Sequence, residues 1–143
     1  YVEAIRVMLP NGKCINGDDL RDIWMNSKIG EMPAVSLLDG LLNNYKVWVI
    51  SNTTESHIKS LQSQFLFLNS FNGIITSEEA GAHKPNPSIF NFALSEANTD
   101  VASSLFIDDS HTNTESAKNI GIVSHHYTEF DGLIDFLQKN LGI

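Results

Sequence analysis

Leu105-Phe106-Ile107-Asp108-Asp109-Ser110 is the stretch on which the fold turns. An apolar run halts at two adjacent carboxylates. Short apolar runs bounded by turn residues read as buried strands, and this one would deliver Asp108 and Asp109 to its C-terminal end. In open parallel α/β sheets, ligands bind beyond that edge. Neighbouring carboxylates repel each other, and each resists desolvation unless something compensates. A hard divalent cation with oxygen ligands, Mg²⁺ above all, is the natural compensation. An arbitrary Asp-Asp pair is more often a solvated turn, because charged residues are mostly exposed. The surrounding chain has to decide between the two.

Downstream, Thr112-Asn113-Thr114-Glu115 begins a helix that Gly121 terminates. Ile122-Val123 resumes a strand, and Phe130 to Leu141, with Leu133, Ile134 and Leu137, predicts a closing amphipathic helix. Upstream, Pro87 starts a helix carrying Ile89, Phe90, Ala93, Leu94 and Ala97. In His83-Lys84-Pro85-Asn86-Pro87, two prolines hold a lysine in an extended, poorly adaptable loop. Taken alone, such a lysine would be a solvated charge. Gly73-Ile74-Ile75-Thr76 predicts a short strand, followed by a helical turn at Ser77-Glu78-Glu79 closed by Gly81. Phe65 to Phe71 is apolar and irregular. Lys46-Val47-Trp48-Val49-Ile50 is the clearest strand in the chain. It ends in Ser51-Asn52-Thr53-Thr54, whose side chains and backbone N–H groups suit an anion. Capping of a helix from about Glu55 to Gln64 accounts for one of these four residues.

Pro33 opens an earlier helix, where its missing N–H costs nothing. That helix has a stripe of Val35, Leu38, Leu41 and Leu42 and ends near Asn43-Asn44. Residues 1 to 9 read as the tail of an amphipathic helix, and Asn16-Gly17-Asp18-Asp19 as the cap of another running to about Lys28. Capping and the helix dipole account for Asp18 and Asp19. The alternation of strands with helices of about ten residues predicts a parallel α/β sheet.

The totals agree with a folded enzyme-sized domain. The chain has 143 residues, of which 42% are hydrophobic, enough for a real core in one domain. A net charge of −8 argues against nucleic acid or an anionic membrane surface as partner. Cys14 is the sole cysteine, so no internal disulfide forms, which fits a reducing, cytoplasmic setting. No apolar stretch approaches the length of a membrane span. None of the five histidines, His57, His83, His111, His125 and His126, has ligand spacing for zinc. The chain opens at Tyr1 in what reads as mid-helix, so a fragment or a processed product is expected.

Three stretches line up: a strand into Ser51-Asn52-Thr53, then Lys84-Pro85 before a helix, then a strand into Asp108-Asp109-Ser110 leading to Asn113 and Gly121. In this order and spacing they resemble the haloacid dehalogenase-like hydrolases. They look most like that superfamily's small phosphatases with a helical cap inserted after the first core strand. The phrases Ile50-Ser51-Asn52-Thr53, Gly81-Ala82-His83-Lys84-Pro85-Asn86-Pro87-Ser88-Ile89-Phe90 and Phe106-Ile107-Asp108-Asp109-Ser110 carry the resemblance. It extends over about residues 33 to 141. It implies a Rossmann-like parallel sheet flanked by helices over residues 33–143, with residues 1–32 the C-terminal part of a helical cap. It also implies roles. Ser51 would donate its hydroxyl to a transferring phosphoryl group, helped by backbone N–H groups of Asn52 and Thr53. Lys84 would neutralise the charge shared by nucleophile and phosphoryl oxygens. Asp108 and Asp109 would hold Mg²⁺, Asp109 directly and Asp108 directly or through water. Phosphoryl transfer needs positioning and charge neutralisation above all, and a lysine with Mg²⁺ supplies both.

One part of the family pattern is missing. The family's reaction uses an aspartate nucleophile at the end of the first core strand, in an Asp-x-Asp pattern whose second aspartate is the general acid/base. No strand-borne pair of that kind occurs here, and Asp18, Asp19 and Asp22 sit in a helix pattern. The resemblance therefore implies that this strand precedes Tyr1 and belongs between the strands ending at Ser51 and Asp109. An upstream segment or another chain would fill that place, because bare strand edges are a liability. The expected activity is Mg²⁺-dependent hydrolysis of a small phosphorylated metabolite through an aspartyl-phosphate. Two alternatives stand beside it. One is a dehalogenase or phosphomutase on the same fold, although a dehalogenase needs no Mg²⁺. The other is a catalytically inactive relative that binds a phosphorylated ligand or a partner chain.

Overall fold

The computed structural model describes residues 33–142, which fall in one compact unit. The expectations for residues 1–32, including the two N-terminal helices, the cap, Cys14 and Asp18-Asp19, lie outside the described residues.

The helix expected from Pro33 begins as a 3₁₀ turn, Pro33–Leu37, and becomes α-helical only in α1, Leu38–Leu42. Ser36 donates its hydroxyl to the Pro33 carbonyl at 2.7 Å, a local bond that competes with regular helix geometry. Of the expected stripe, only Leu38 is buried. The strand β1, Trp48–Ser51, leads into α2, Glu55–Gln64. Thr54 caps α2 by accepting the His57 N–H at 3.4 Å. The apolar stretch that follows forms a 3₁₀ turn, Leu66–Ser70, in which Phe67 meets Phe65 and Phe71 edge to face. Then come β2, Gly73–Thr76, and the single turn α3, Ser77–Ala80. Gly81, at φ +62°, ends that turn in the left-handed region that glycine enters freely. The helix α4, Pro87–Glu96, is capped by Asn86, whose side chain accepts the Ser88 N–H at 3.0 Å. The remaining elements are β3, Leu105–Asp108, α5, His111–Asn119, β4, Val123–His126, and α6, Phe130–Leu141.

The strands pair in parallel twos. β1 lies on β2 from Trp48↔Gly73 to Ser51↔Thr76, and β3 on β4 from Leu105↔Val123 to Asp108↔His126. The Trp48 ring lies over Gly73 so closely that an added Cβ would overlap three of its ring carbons. That register position therefore needs glycine. Ile89 and Phe90, fully buried on α4, join Ile75, Ala93, Ala117 and Ile122 in the core. Burial of each large side chain contributes about 1.5–3 kcal/mol. The Phe90 ring meets Phe106 of β3 edge-on, centroids 5.0 Å apart at 75°.

β1 and β3 each have one unpaired edge among the described residues. Both line a single cavity of about 720 Å³, whose apolar wall includes Trp48, Ile50, Phe90, Leu94, Phe106 and Leu137. Unpaired edges present rows of N–H and C=O groups able to take another strand.

Candidate functional site

The site forms where β1, the Lys84 loop and β3 come together. Asn52, one residue beyond β1, accepts the Lys84 N–H at 2.7 Å and donates its amide to the Lys84 carbonyl at 2.9 Å. Lys84 in turn donates from Nζ to Asp108 Oδ2 at 2.7 Å, at the end of β3. The C-terminal ends of the two strand pairs are thus tied together through one lysine. The side chains of Lys84 and Asp108 keep only 13% and 6% of their exposure, so this ion pair is largely out of water.

Asp108 Oδ1 is also occupied. It accepts the Ser110 N–H at 2.8 Å and the Asn113 amide at 2.9 Å, the latter from the first turn of α5. Burial alone would push the Asp108 carboxyl up. The hydrogen bond from Lys84, those from Ser110 and Asn113, and the lysine's charge outweigh it and hold the carboxyl below the usual carboxylate value. Asp109 is exposed and its carboxylate has no partner among the described residues. Its backbone carbonyl accepts the His126 Nε2–H at 3.0 Å, and the His126 ring meets His111 edge to face at 5.4 Å. His125, the residue before His126, stacks instead on Phe136 at 4.9 Å. Its ring is held below the usual histidine value by burial first, then by the charges of His126 and Lys118.

The structure brings Ser51, Asn52, Lys84, Asp108 and Asp109 to one edge. The Ser51 hydroxyl is half-buried and without a hydrogen-bond partner among the described residues. Thr53 is committed elsewhere: its N–H donates to the Ser51 carbonyl at 2.9 Å, and its hydroxyl bonds His57 Nδ1 at 2.9 Å. The backbone donor expected from Thr53 is therefore already in use. The Asn52 side chain, the Asn113 amide and Ser116, whose hydroxyl donates to the Pro85 carbonyl at 2.5 Å, support the site in ways the sequence did not reveal. Asn113 stands in the motif pattern, but its grip on Asp108 depends on α5 starting directly after β3.

The donor set decides what a cation would meet. A carboxylate offers about four lone-pair sites, and three of those on Asp108 are taken by protein donors. Asp109 has all of its sites available. No group of three or more His, Cys, Asp or Glu able to hold a metal occurs among the described residues. This is a poor site for zinc. It fits Mg²⁺, which takes one or two carboxylates and completes its shell with water and substrate phosphate oxygens.

A polar site at the C-terminal edge of parallel strands, with helices between them, defines an α/β protein of the doubly wound kind. The family model for haloacid dehalogenase-like hydrolases matches residues 17–126, and the chain belongs to that family. A sesquiterpene phosphatase of Aspergillus oryzae is 26% identical over 83 residues, which span 58% of this chain and 42% of that protein. The structure superposes on a family enzyme of Bacteroides thetaiotaomicron with a TM-score of 0.72 and 26% identity, over 92% of this chain and 69% of that one. The same enzyme in complex with magnesium and inorganic phosphate gives 0.71 and 27%, over 92% and 70%. An L-2-haloacid dehalogenase from Xanthobacter autotrophicus, with chloropropionic acid covalently bound, shares the fold at 18% identity and a TM-score of 0.68, over 87% and 51%.

Proposed function

We propose that this chain carries the phosphoryl- and Mg²⁺-binding half of a phosphatase for a small phosphorylated metabolite. The chain spans 42% of the curated relative it matches, and the whole protein's activity belongs to this proposal. The observation that carries it is the Lys84–Asp108 pair, which joins the end of β1, carrying Ser51, to the end of β3, leading into the exposed Asp109, with Lys84 also lining the cavity between β1 and β3. In this reading the cavity takes a strand, supplied by an upstream segment or by a second chain, that ends in the nucleophilic aspartate. In the same reading residues 1–32 belong to the C-terminal part of a helical cap and residues 33–143 to the core domain.

The roles follow from charge. Ser51 donates a hydrogen bond to a phosphoryl oxygen. Lys84 sits between Asp108 and the place of the incoming carboxylate, and its charge lowers the repulsion between that carboxylate and the anionic phosphoryl group. In this reading the incoming carboxylate attacks phosphorus as the ester P–O bond breaks, and an acyl phosphate remains. The departing alkoxide takes a proton from the second aspartate of that strand and leaves as the alcohol. The same aspartate then takes a proton from the attacking water, which releases inorganic phosphate and restores the nucleophile. Asp109 directly, and Asp108 through its remaining lone pair or a water, would hold Mg²⁺, which would supply charge neutralisation at the phosphoryl oxygens. Support comes from the magnesium and phosphate complex of the Bacteroides enzyme and from the phosphatase relative.

The test is Mg²⁺-dependent hydrolysis of p-nitrophenyl phosphate by the protein expressed from its full reading frame. Lys84→Ala and Asp109→Asn should each lower turnover by about 10²–10³-fold, the usual cost of removing a group that stabilises transition-state charge. Wild-type turnover in both variants would defeat the role assignments. Release of halide from a 2-haloacid, insensitive to EDTA, would point instead to dehalogenase chemistry on the same fold.

A further inference from the structure

Lys84 has a short reach to Asp108 because its backbone is fixed, and the fixing comes from two side chains outside its own loop. Asn52 spends both ends of its amide on one residue: Oδ1 takes the Lys84 N–H at 2.7 Å and Nδ2 gives to the Lys84 carbonyl at 2.9 Å. That is the pairing a neighbouring strand would give, supplied instead by one side chain 32 residues away. From the opposite side, Ser116 of α5 donates to the Pro85 carbonyl at 2.5 Å. Within the loop, the Asn86 N–H closes a turn on the His83 carbonyl at 2.8 Å.

We propose that Asn52 is a positioning residue: its side chain, assisted by Ser116, fixes the Lys84 backbone so that the ammonium rests on Asp108. This rests on the reading of Lys84 as the cation that meets the phosphoryl group. The residue type is demanding. Aspartate has the same shape but turns the donor facing the Lys84 carbonyl into a second acceptor, so attraction becomes repulsion. Glutamine is one methylene too long to make both bonds from the same backbone position. Serine and alanine cannot span both partners. A lysine side chain carries about 2 kcal/mol of rotamer entropy. A fixed backbone therefore decides how much of the ammonium's time is spent on Asp108 rather than in solvent.

The experiment follows the Lys84 ammonium itself. In ¹⁵N-lysine-labelled protein, an ammonium held on a buried carboxylate exchanges its protons slowly enough to give its own resonance, assigned by its loss in Lys84→Arg. Asn52→Asp and Asn52→Ala should each abolish that resonance and speed exchange of the Lys84 amide at least tenfold. The amides of Ile89 and Phe90 in α4 should keep wild-type protection, which separates the effect from unfolding. Ser116→Ala should broaden the resonance without abolishing it, and it remains informative if either Asn52 variant fails to fold. An ammonium resonance unchanged in a folded Asn52 variant would overturn the proposal. A parallel titration with inorganic phosphate and Mg²⁺ separates the two readings. Loss of the resonance together with at least tenfold weaker phosphate binding supports both. Loss of the resonance in a protein whose wild type does not bind phosphate supports the positioning role and overturns the phosphatase reading.

Discussion

Removal of the Asp108 carboxylate is the sharpest test of how this site is held. In Asp108→Ala the Lys84 ammonium loses its partner at 2.7 Å while its side chain keeps 13% of its exposure. The Ser110 N–H and the Asn113 amide lose their acceptor as well. Breaking a buried pair by deleting one member costs about 3–5 kcal/mol, because the other charge stays behind. Lys84→Met is milder. The carboxylate keeps two donors, and the loss is one charge-assisted hydrogen bond, about 1.5–3 kcal/mol. The double variant should cost less than the sum by at least about 0.5 kcal/mol, since the two residues act on each other. Urea unfolding followed by tryptophan fluorescence measures all three. With a slope of about 1.5 kcal/mol/M, the Asp108→Ala midpoint should fall by about 2–3 M. Asp109→Asn, at an exposed and unpartnered carboxylate, should stay within about 0.5 kcal/mol of wild type. An Asp108→Ala cost under about 1 kcal/mol, or strict additivity in the double variant, would refute the argument that this pair ties the two strand pairs together. If Asp108→Ala does not fold, Asp108→Asn keeps the volume, and its cost should still exceed that of Lys84→Met.

Acid should weaken the fold through the same carboxylate. The folded Asp108 carboxyl lies below its ordinary value of 3.8, so its contribution is complete above that value and is lost as the pH falls through the folded pKa. The urea midpoint should therefore drop as the pH is lowered from about 4, and Lys84→Met should flatten this limb. Gly73→Ala drives a methyl into the Trp48 ring, which leaves no room for a Cβ at residue 73. It should cost about 1–3 kcal/mol as overpacking and shift the Trp48 emission, and an unchanged emission spectrum would mean that the ring does not rest on residue 73.

Much of the fold was legible because its boundaries are written in local chemistry. A cap within Ser51–Thr54, Pro87 at a first helical position and Gly81 at a left-handed φ mark helix ends, and α2, α4 and α3 fall where those residues put them. β4 was harder. The apolar signal stops at Val123, but the strand runs to His126 because Asp108↔His126 continues the ladder with β3. Pairing supplied what composition did not. Ser36 shows the reverse case, a side-chain bond that makes the first turn after Pro33 a 3₁₀ turn despite helical spacing. In the site, Asp108 and Asp109 could be singled out by type and neighbourhood, and Lys84 only through the resemblance of its loop to the family's. The resemblance named Asp109 as the direct ligand, but the partition of protein contacts, which all fall on Asp108, could not be read, because it depends on which carboxylate the lysine and the start of α5 reach.

That partition sets the order in which ligands can bind. Lys84 is already matched by Asp108, so Asp109 leaves the site with a negative charge that no described residue offsets. A phosphate dianion entering there meets net repulsion, with the Ser51 hydroxyl and backbone donors as its attractions. A divalent cation on Asp109 reverses the sign of the local field. Inorganic phosphate should therefore bind at least tenfold more tightly with saturating Mg²⁺ than with EDTA, and Asp109→Asn should remove most of that dependence. Calorimetric titration of the protein at both conditions measures it. Equal phosphate affinity with and without Mg²⁺ would refute this order: the Asp109 charge would not govern entry of the anion, and the Lys84 ammonium in place beside Asp108 at 2.7 Å would suffice to hold it.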